Sequence, residues 1–304
     1  MRSTIAGIVT VATTLTLTLI AGPANAADPT ESAARLIEQV APDQGEVQRV
    51  TATAAGLTAT IREQTITAPR TADGAVQVGA VQVILPDQVG GRASVANDGT
   101  VVYSGTGGSV AAAIQILDDA SVRLQTITRE AGADRSFTYT FPGLTPVKGA
   151  NGTVDLLANN ADGSVAVVAG TVAPAWARDA KGRVVKTSYR ISGDRLVQVV
   201  EPTSTTTYPV VADPKVTHTW WNQTMYFNKS ETNKVSAGAS AVQIAGTITA
   251  GTMIGAIAAV GASIIQAVAQ YAMGNDQCIK FVVYASGTAL PQPYGGSEAG
   301  GYCK

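Results

Sequence analysis

His218 is the one imidazole in this 304-residue chain, and Cys278 and Cys303 are its only thiols. An imidazole can act as a general base or a metal ligand near neutral pH. Here it lies in Val216-Thr-His-Thr-Trp-Trp221, with no nucleophile elbow and no second ligand at metal spacing. Its default reading is a surface or interface histidine. Without a CxxC pair, the two cysteines read as one structural disulfide rather than a redox or zinc site. Asp118 and Asp119 are adjacent, so on a strand they would point to opposite faces and form no carboxylate dyad. Phosphate-loop, dinucleotide, HExxH and calcium-loop patterns do not occur. The expectation is no catalytic residue, no cofactor and no metal.

What remains is interfacial chemistry. Trp220, Trp221, Tyr226 and Phe227 follow His218, and Lys229, Glu231 and Lys234 come next. Residues 235–275 then carry no charge over roughly 40 positions, long enough to cross a bilayer once or to form two short helices. Gly, Ala, Ser and Thr dominate that run, and small residues let helices approach closely in lipid or in a compact core. Two readings stand side by side. In one, the aromatics form a membrane-interface belt beside an inserting hairpin. In the other, they lie on a strand packed against the helices.

The elements that would position these residues are legible from periodicity. Ala34, Ile37 and Val40 have helical spacing, which predicts a short helix or leader over 31–40. From Val47 the pattern becomes alternating and β-branched, as in AVQVGAVQVILP, SVRLQTITR and RLVQVVEP. Asp73-Gly74, Asp98-Gly99, Asn151-Gly152, Asp162-Gly163 and Gly193-Asp194 supply turns between such strands. A helical alternative stands at 110–117. The run Tyr208-Pro-Val-Val-Ala-Asp-Pro214 reads as an extended edge strand leading into a joint, or as a processing site.

Further along, Ser230 is placed to cap a helix. Ile244, Ile248, Met253, Ile257, Val260, Ile264, Val268 and Tyr271 approximate an apolar helical stripe. Gly251 and Gly255 form a GxxxG pair suited to helix packing. A break near Gly246 or Gly251 would give an αα-hairpin. Residues 278–284 read as a strand, and 291–301 as a loop returning to Cys303.

Export and layout complete the reading. Arg2, an apolar stretch over 5–21 and Ala24-Asn25-Ala26 predict a secretory signal peptide cut after Ala26. An oxidising destination favours the Cys278–Cys303 bond. From Asp213 onward there is no Arg, whereas Arg dominates the basic residues before it, which suggests a boundary there. The expected class is α+β. Signal peptide 1–26 and leader 27–46 precede a β-rich antiparallel domain at 47–212 and a small αα-hairpin domain with short strands and one disulfide at 213–304. A net charge of −1 leaves no nucleic-acid footprint.

Ala173-Pro-Ala-Trp-Ala-Arg-Asp-Ala-Lys-Gly182, Thr187-Ser-Tyr-Arg-Ile191, Leu196-Val-Gln-Val-Val200 and the Tyr208–Pro214 motif resemble a family of uncharacterised secreted actinobacterial proteins. Met225-Tyr-Phe-Asn-Lys-Ser-Glu-Thr232, the Gly/Ala segment and Cys278-Ile-Lys280 are similar to one of that family's C-terminal regions. The resemblance implies secretion and a shared β-rich part followed by variable tails; it carries no activity. The expectation is a secreted, non-enzymatic protein with a membrane-active or envelope-associated, bacteriocin-like C-terminal domain. The alternative is a soluble structural or adhesion module of the envelope.

Overall fold

A computed structural model describes residues 28–43, 45–104, 108–218, 222–248 and 252–304. The expected signal peptide, Trp220, Trp221 and Gly251 lie outside them. α1 (Pro29–Val40) is followed by β1 (Thr51–Ala52), β2 (Leu57–Ile61), β3 (Gln64–Ala68), β4 (Ala75–Val78), β5 (Val81–Ile84), β6 (Ala93–Val95) and β7 (Val101–Ser104). β8 (Val110–Ile116), β9 (Ser121–Thr128), β10 (Ser136–Thr140), β11 (Thr145–Lys148), β12 (Val154–Asn159), β13 (Val165–Val172) and β14 (Trp176–Asp179) come next. β15 (Lys186–Ser192), β16 (Arg195–Glu201), β17 (Val210–Asp213), β18 (Lys215–His218) and β19 (Asn222–Phe227) complete the run of strands. α2 (Lys229–Ser236), α3 (Ala241–Ala245), α4 (Thr252–Val260), α5 (Ala262–Gly274), β20 (Cys278–Tyr284) and β21 (Ala289–Tyr294) end the chain. The fold is mixed, with antiparallel sheets.

Among the described residues the strands form two sheets. The eight-stranded one runs β1-β2-β3-β4-β5-β10-β16-β15. The larger runs β21-β20-β19-β13-β18-β9-β8-β7-β6, with the β11–β12 hairpin joined to β13 and the β14–β17 pair joined to β9. Val76, Val83, Phe137 and Leu196 of the first sheet share a core with Ile114, Val122, Val172 and Val216 of the second, so the sheets face each other across it. Every residue of β8 and β9 is buried, because α1 covers their other face with Ile37 and Val40 against Ala111, Ala113 and Ile127. Residues 110–117 are therefore extended, not helical.

α1 starts two residues before the expected span, after Asp28, whose carboxylate accepts the Thr30 N–H at 2.8 Å. Losing this cap in Asp28→Ala is expected to cost about 1 kcal/mol, read as a lower urea midpoint with α1 amides exchanging first.

β17 is an interior strand, correcting the edge reading. It pairs with β14 on one side and β9 on the other, and all four residues are buried. Pro209 and Pro214 lie just outside its ends, so neither removes a ladder donor. The expected boundary near 212/213 also moves. β17 and β18 belong to the first core, and β13 pairs with β18 through residues 170–172 and with β19 through 165–167. Val172 of β13 packs in the first core and Val165 in the second. The C-terminal region therefore extends the large sheet rather than forming a sheet of its own.

The second core lies between α2–α5 and one face of β19-β20-β21, around Met225, Phe227, Ile279 and Phe281. A single αα-hairpin is not what forms. α3 ends at Gly246 as expected, and the apolar run is broken again at Gly261, where φ is +89° and α4 and α5 meet at 85°. Only glycine adopts that conformation without strain. Asn228, rather than Ser230, caps α2 by accepting the Glu231 N–H at 2.9 Å. β21 takes up part of the expected 291–301 loop, with Pro291 and Pro293 on the edge strand of the sheet.

Candidate functional site

The disulfide is present, with Cys278 at the start of β20 joined to Cys303 near the C-terminus. It closes a small core on the sheet face away from the helices, with Tyr226, Tyr294, Leu157 and Ala299. Tyr302 donates to the Gly163 carbonyl at 2.6 Å, and the Tyr294 hydroxyl to that of Phe227 at 2.7 Å.

Tyr226 and Phe227 do not form an interfacial belt. They alternate on β19, so one side chain enters each core. Tyr226 meets Tyr294 edge-on at 4.9 Å, and Phe227 tilts against Phe281 at 5.4 Å. Both are buried. Burial and the neighbouring Glu298 and Asp155 charges push the Tyr226 phenol well above its ordinary range. His218 is equally occupied. Its Nδ1 lies 2.8 Å from the Ala169 carbonyl, and its ring fills the space over Gly79, where an added Cβ would approach to 2.5 Å. This histidine ties β18 to the β4–β5 turn of the opposite sheet.

Asp118 accepts the Glu46 N–H, while Asp119 accepts the Ser121 N–H and pairs with Lys215 at 2.9 Å. They are turn residues between β8 and β9, and each has its own partners. Among the described residues no group of three or more His, Cys, Asp or Glu side chains is placed to hold a metal ion.

Sequence reading missed two buried carboxylates. Burial raises the Asp179 pKa, but Arg183 and the Thr207, Arg183 and Lys181 amides outweigh it and hold the group well below the carboxylate range. Asp213 is pushed up to about 8 by burial, against the opposing charges of Arg123 and Lys215. An Asp beside a proline at a strand end gave no signal of burial, since only the flanking strands bury it.

The surface with unusual chemistry is the outer face of α4 and α5. Inward, Met253, Ala256 and Ile257 of α4 and Ile265, Ala269 and Ala272 of α5 contact the sheet. Outward lie Gly255, Ala258, Ala259, Ile264, Ala267 and Tyr271. Ile264 is 55% and Tyr271 62% exposed, seven residues apart and so on one stripe of α5. The expected stripe is thus split, with Ile257 inside and Ile264 and Tyr271 outside. Gly255 packs against nothing, since an added Cβ there would meet no atom within 4 Å. The charges of α2 and of the residues just after α5 are paired, Lys229 with Asp276 and Lys234 with Glu231. No single described helix is long and apolar enough to cross a membrane; the bent α4–α5 pair is by length and composition alone.

No protein-family profile matches the chain, and no curated protein or solved structure is significantly similar to it.

Proposed function

We propose that this is a secreted, non-enzymatic protein that associates with a membrane or cell-envelope surface through the outer face of α4 and α5. The observation that carries the reading is the charge-free outer face of that layer, with Ile264 and Tyr271 exposed on one stripe. Surface helices ordinarily present charges outward. A large aliphatic beside a tyrosine suits an interface that is apolar below and wet above. The disulfide is compatible with secretion. The resemblance to secreted actinobacterial proteins adds support for export, and none for a particular target.

Association by the folded layer is favoured over insertion. Insertion as a bent span would pull Ile257, Ile265 and Ala269 out of the second core. The alternative, a soluble structural or adhesion module, is favoured by that same burial.

The test is flotation of the oxidised full chain with anionic vesicles, beside an Ile264→Glu, Tyr271→Glu double variant. Both side chains are already about half covered, so completing their burial is worth roughly 1.5–3 kcal/mol together and the variant should lose about ten- to a hundredfold in partitioning. Wild type that stays in buffer, with α5 amides protected from exchange, would overturn surface association and leave the soluble module.

A further inference from the structure

β15 ends the eight-stranded sheet, and β16 is its only ladder partner among the described residues. The two strands join through Gly193-Asp194, with Ser192 opposite Arg195 and Gly193 at φ +61°. In a two-residue hairpin the closing pair exchanges both hydrogen bonds, and bonded and non-bonded pairs alternate from there. Arg190, Ser188 and Lys186 thus turn their backbone groups toward β16. Ile191, Tyr189 and Thr187 turn theirs away, offering three N–H and three C=O groups to whatever lies alongside.

A groove lies alongside. Thr187, Tyr189 and Ile191 form one wall of a space of about 410 Å³, and Gly149, Gly152 and Pro174 line the other. Beyond Ile191 and Lys148, which line both, a second space of about 670 Å³ continues to Gly296 and Gly301. Thr153, Val154 and Ala175 complete that wall, and apart from Lys148 its side chains are small or absent, so another backbone can approach closely. Five residues of β15 span about 13 Å, the length of a short extended peptide.

Charge indicates what would bind. Lys148 lines both spaces and forms no ion pair among the described residues. No carboxylate lines either space. Asp155, beside Gly149, has its pKa raised by burial and by Glu298. β15 itself carries Lys186 and Arg190 and no acid. Lys186 pairs with Glu201 of β16 at 2.8 Å, and a second copy of β15 would bring Arg190 and no carboxylate to Lys148, which disfavours it as occupant.

We propose that β15 is a docking edge for an extended, acidic segment of a partner protein, added to the eight-stranded sheet as a ninth strand. The backbone groups of Thr187, Tyr189 and Ile191 bind its main chain, alternate side chains enter the groove, and Lys148 receives a carboxylate. This edge belongs to the other sheet from the helical layer, so the proposal is independent of surface association.

An array of fluorescein-labelled heptapeptides, alternating Thr and Val between flanking Glu residues, is titrated with the disulfide-bonded full chain and followed by fluorescence polarisation. Saturable binding is expected, with amide NMR shifts centred on Thr187, Tyr189 and Ile191. Methylating two alternate backbone nitrogens of a binding peptide leaves its charge intact and should abolish binding. Lys148→Glu, a surface change, should weaken binding by roughly tenfold. No saturable binding across the array, equal binding of the N-methylated peptide, or shifts confined to other strands would overturn the proposal. So would sedimentation showing that this edge pairs two copies of the chain.

Discussion

Asp213→Asn is expected to stabilise the protein at neutral pH and to flatten its stability between about pH 4 and pH 8. Asp213 is 1% exposed, and its carboxylate oxygens make no hydrogen bond of good geometry among the described residues; burial raises its pKa and outweighs the Arg123 and Lys215 charges and the Trp176 indole N–H, which lower it. Burial holds its pKa near 8, against about 4 in an unfolded chain. Between those values the unfolded state has lost the proton and the folded state keeps it. The unfolded state binds fewer protons there, so stability falls as pH rises. By pH 7 the loss is on the order of 4 kcal/mol. An amide resembles the protonated carboxyl in shape and neutrality but does not ionise on unfolding, so the variant should escape most of this loss. Urea midpoints at pH 5 and pH 8 check it. A wild type whose midpoint is unchanged or higher at pH 8 would remove the argument. Asp179 acts in the opposite sense at the acid end: its depressed pKa gives stability that is present above about pH 4 and lost as pH falls further.

Removing the disulfide, by Cys278→Ala with Cys303→Ala or by reduction, is expected to cost about 3 kcal/mol, since the bond closes a loop with a sequence separation of 25. The loss should fall on one region. β20 and β21 supply the sheet under the helices, and the tail is also held by Tyr302 on Gly163, by the Lys229 N–H donating to the Lys304 carbonyl at 3.1 Å, by Glu298 on Lys280 and Tyr226, and by the buried Ala299. Hydrogen exchange should therefore quicken in β20, β21 and α2 while β8 and β9, buried on both faces, keep their protection. An unchanged midpoint with unchanged exchange would mean that packing alone holds the tail.

Local pattern was enough for much of the fold. Alternation with Asp-Gly and Asn-Gly turns predicted the succession of strands, since each is a matter of a few adjacent residues. The buried face of α1, the strand at 278–284 and the pairing of the only two cysteines were legible for the same reason. So was the lack of charge on what became the helical layer.

Tertiary structure decided the rest, because periodicity shows that a face is covered without showing what covers it. β17 reads as an edge strand in sequence and becomes interior through partners far along the chain, Ile127 and Arg178 on either side of Val211. Ile264 and Ile265 are identical neighbours, yet the sheet takes Ile265 and leaves Ile264 outside. Tyr226 and Phe227 change from surface candidates to members of two cores once β19 joins β13 and β20. The sequence alone determined that a helix precedes a long succession of strands, that 278–284 is extended and which layer lacks charge; it left 110–117 open and read part of β21 as loop. Strand neighbours brought together over long distances decided which residues are inside, why Asp213 is buried with its proton, and that the edge of β15 stays open.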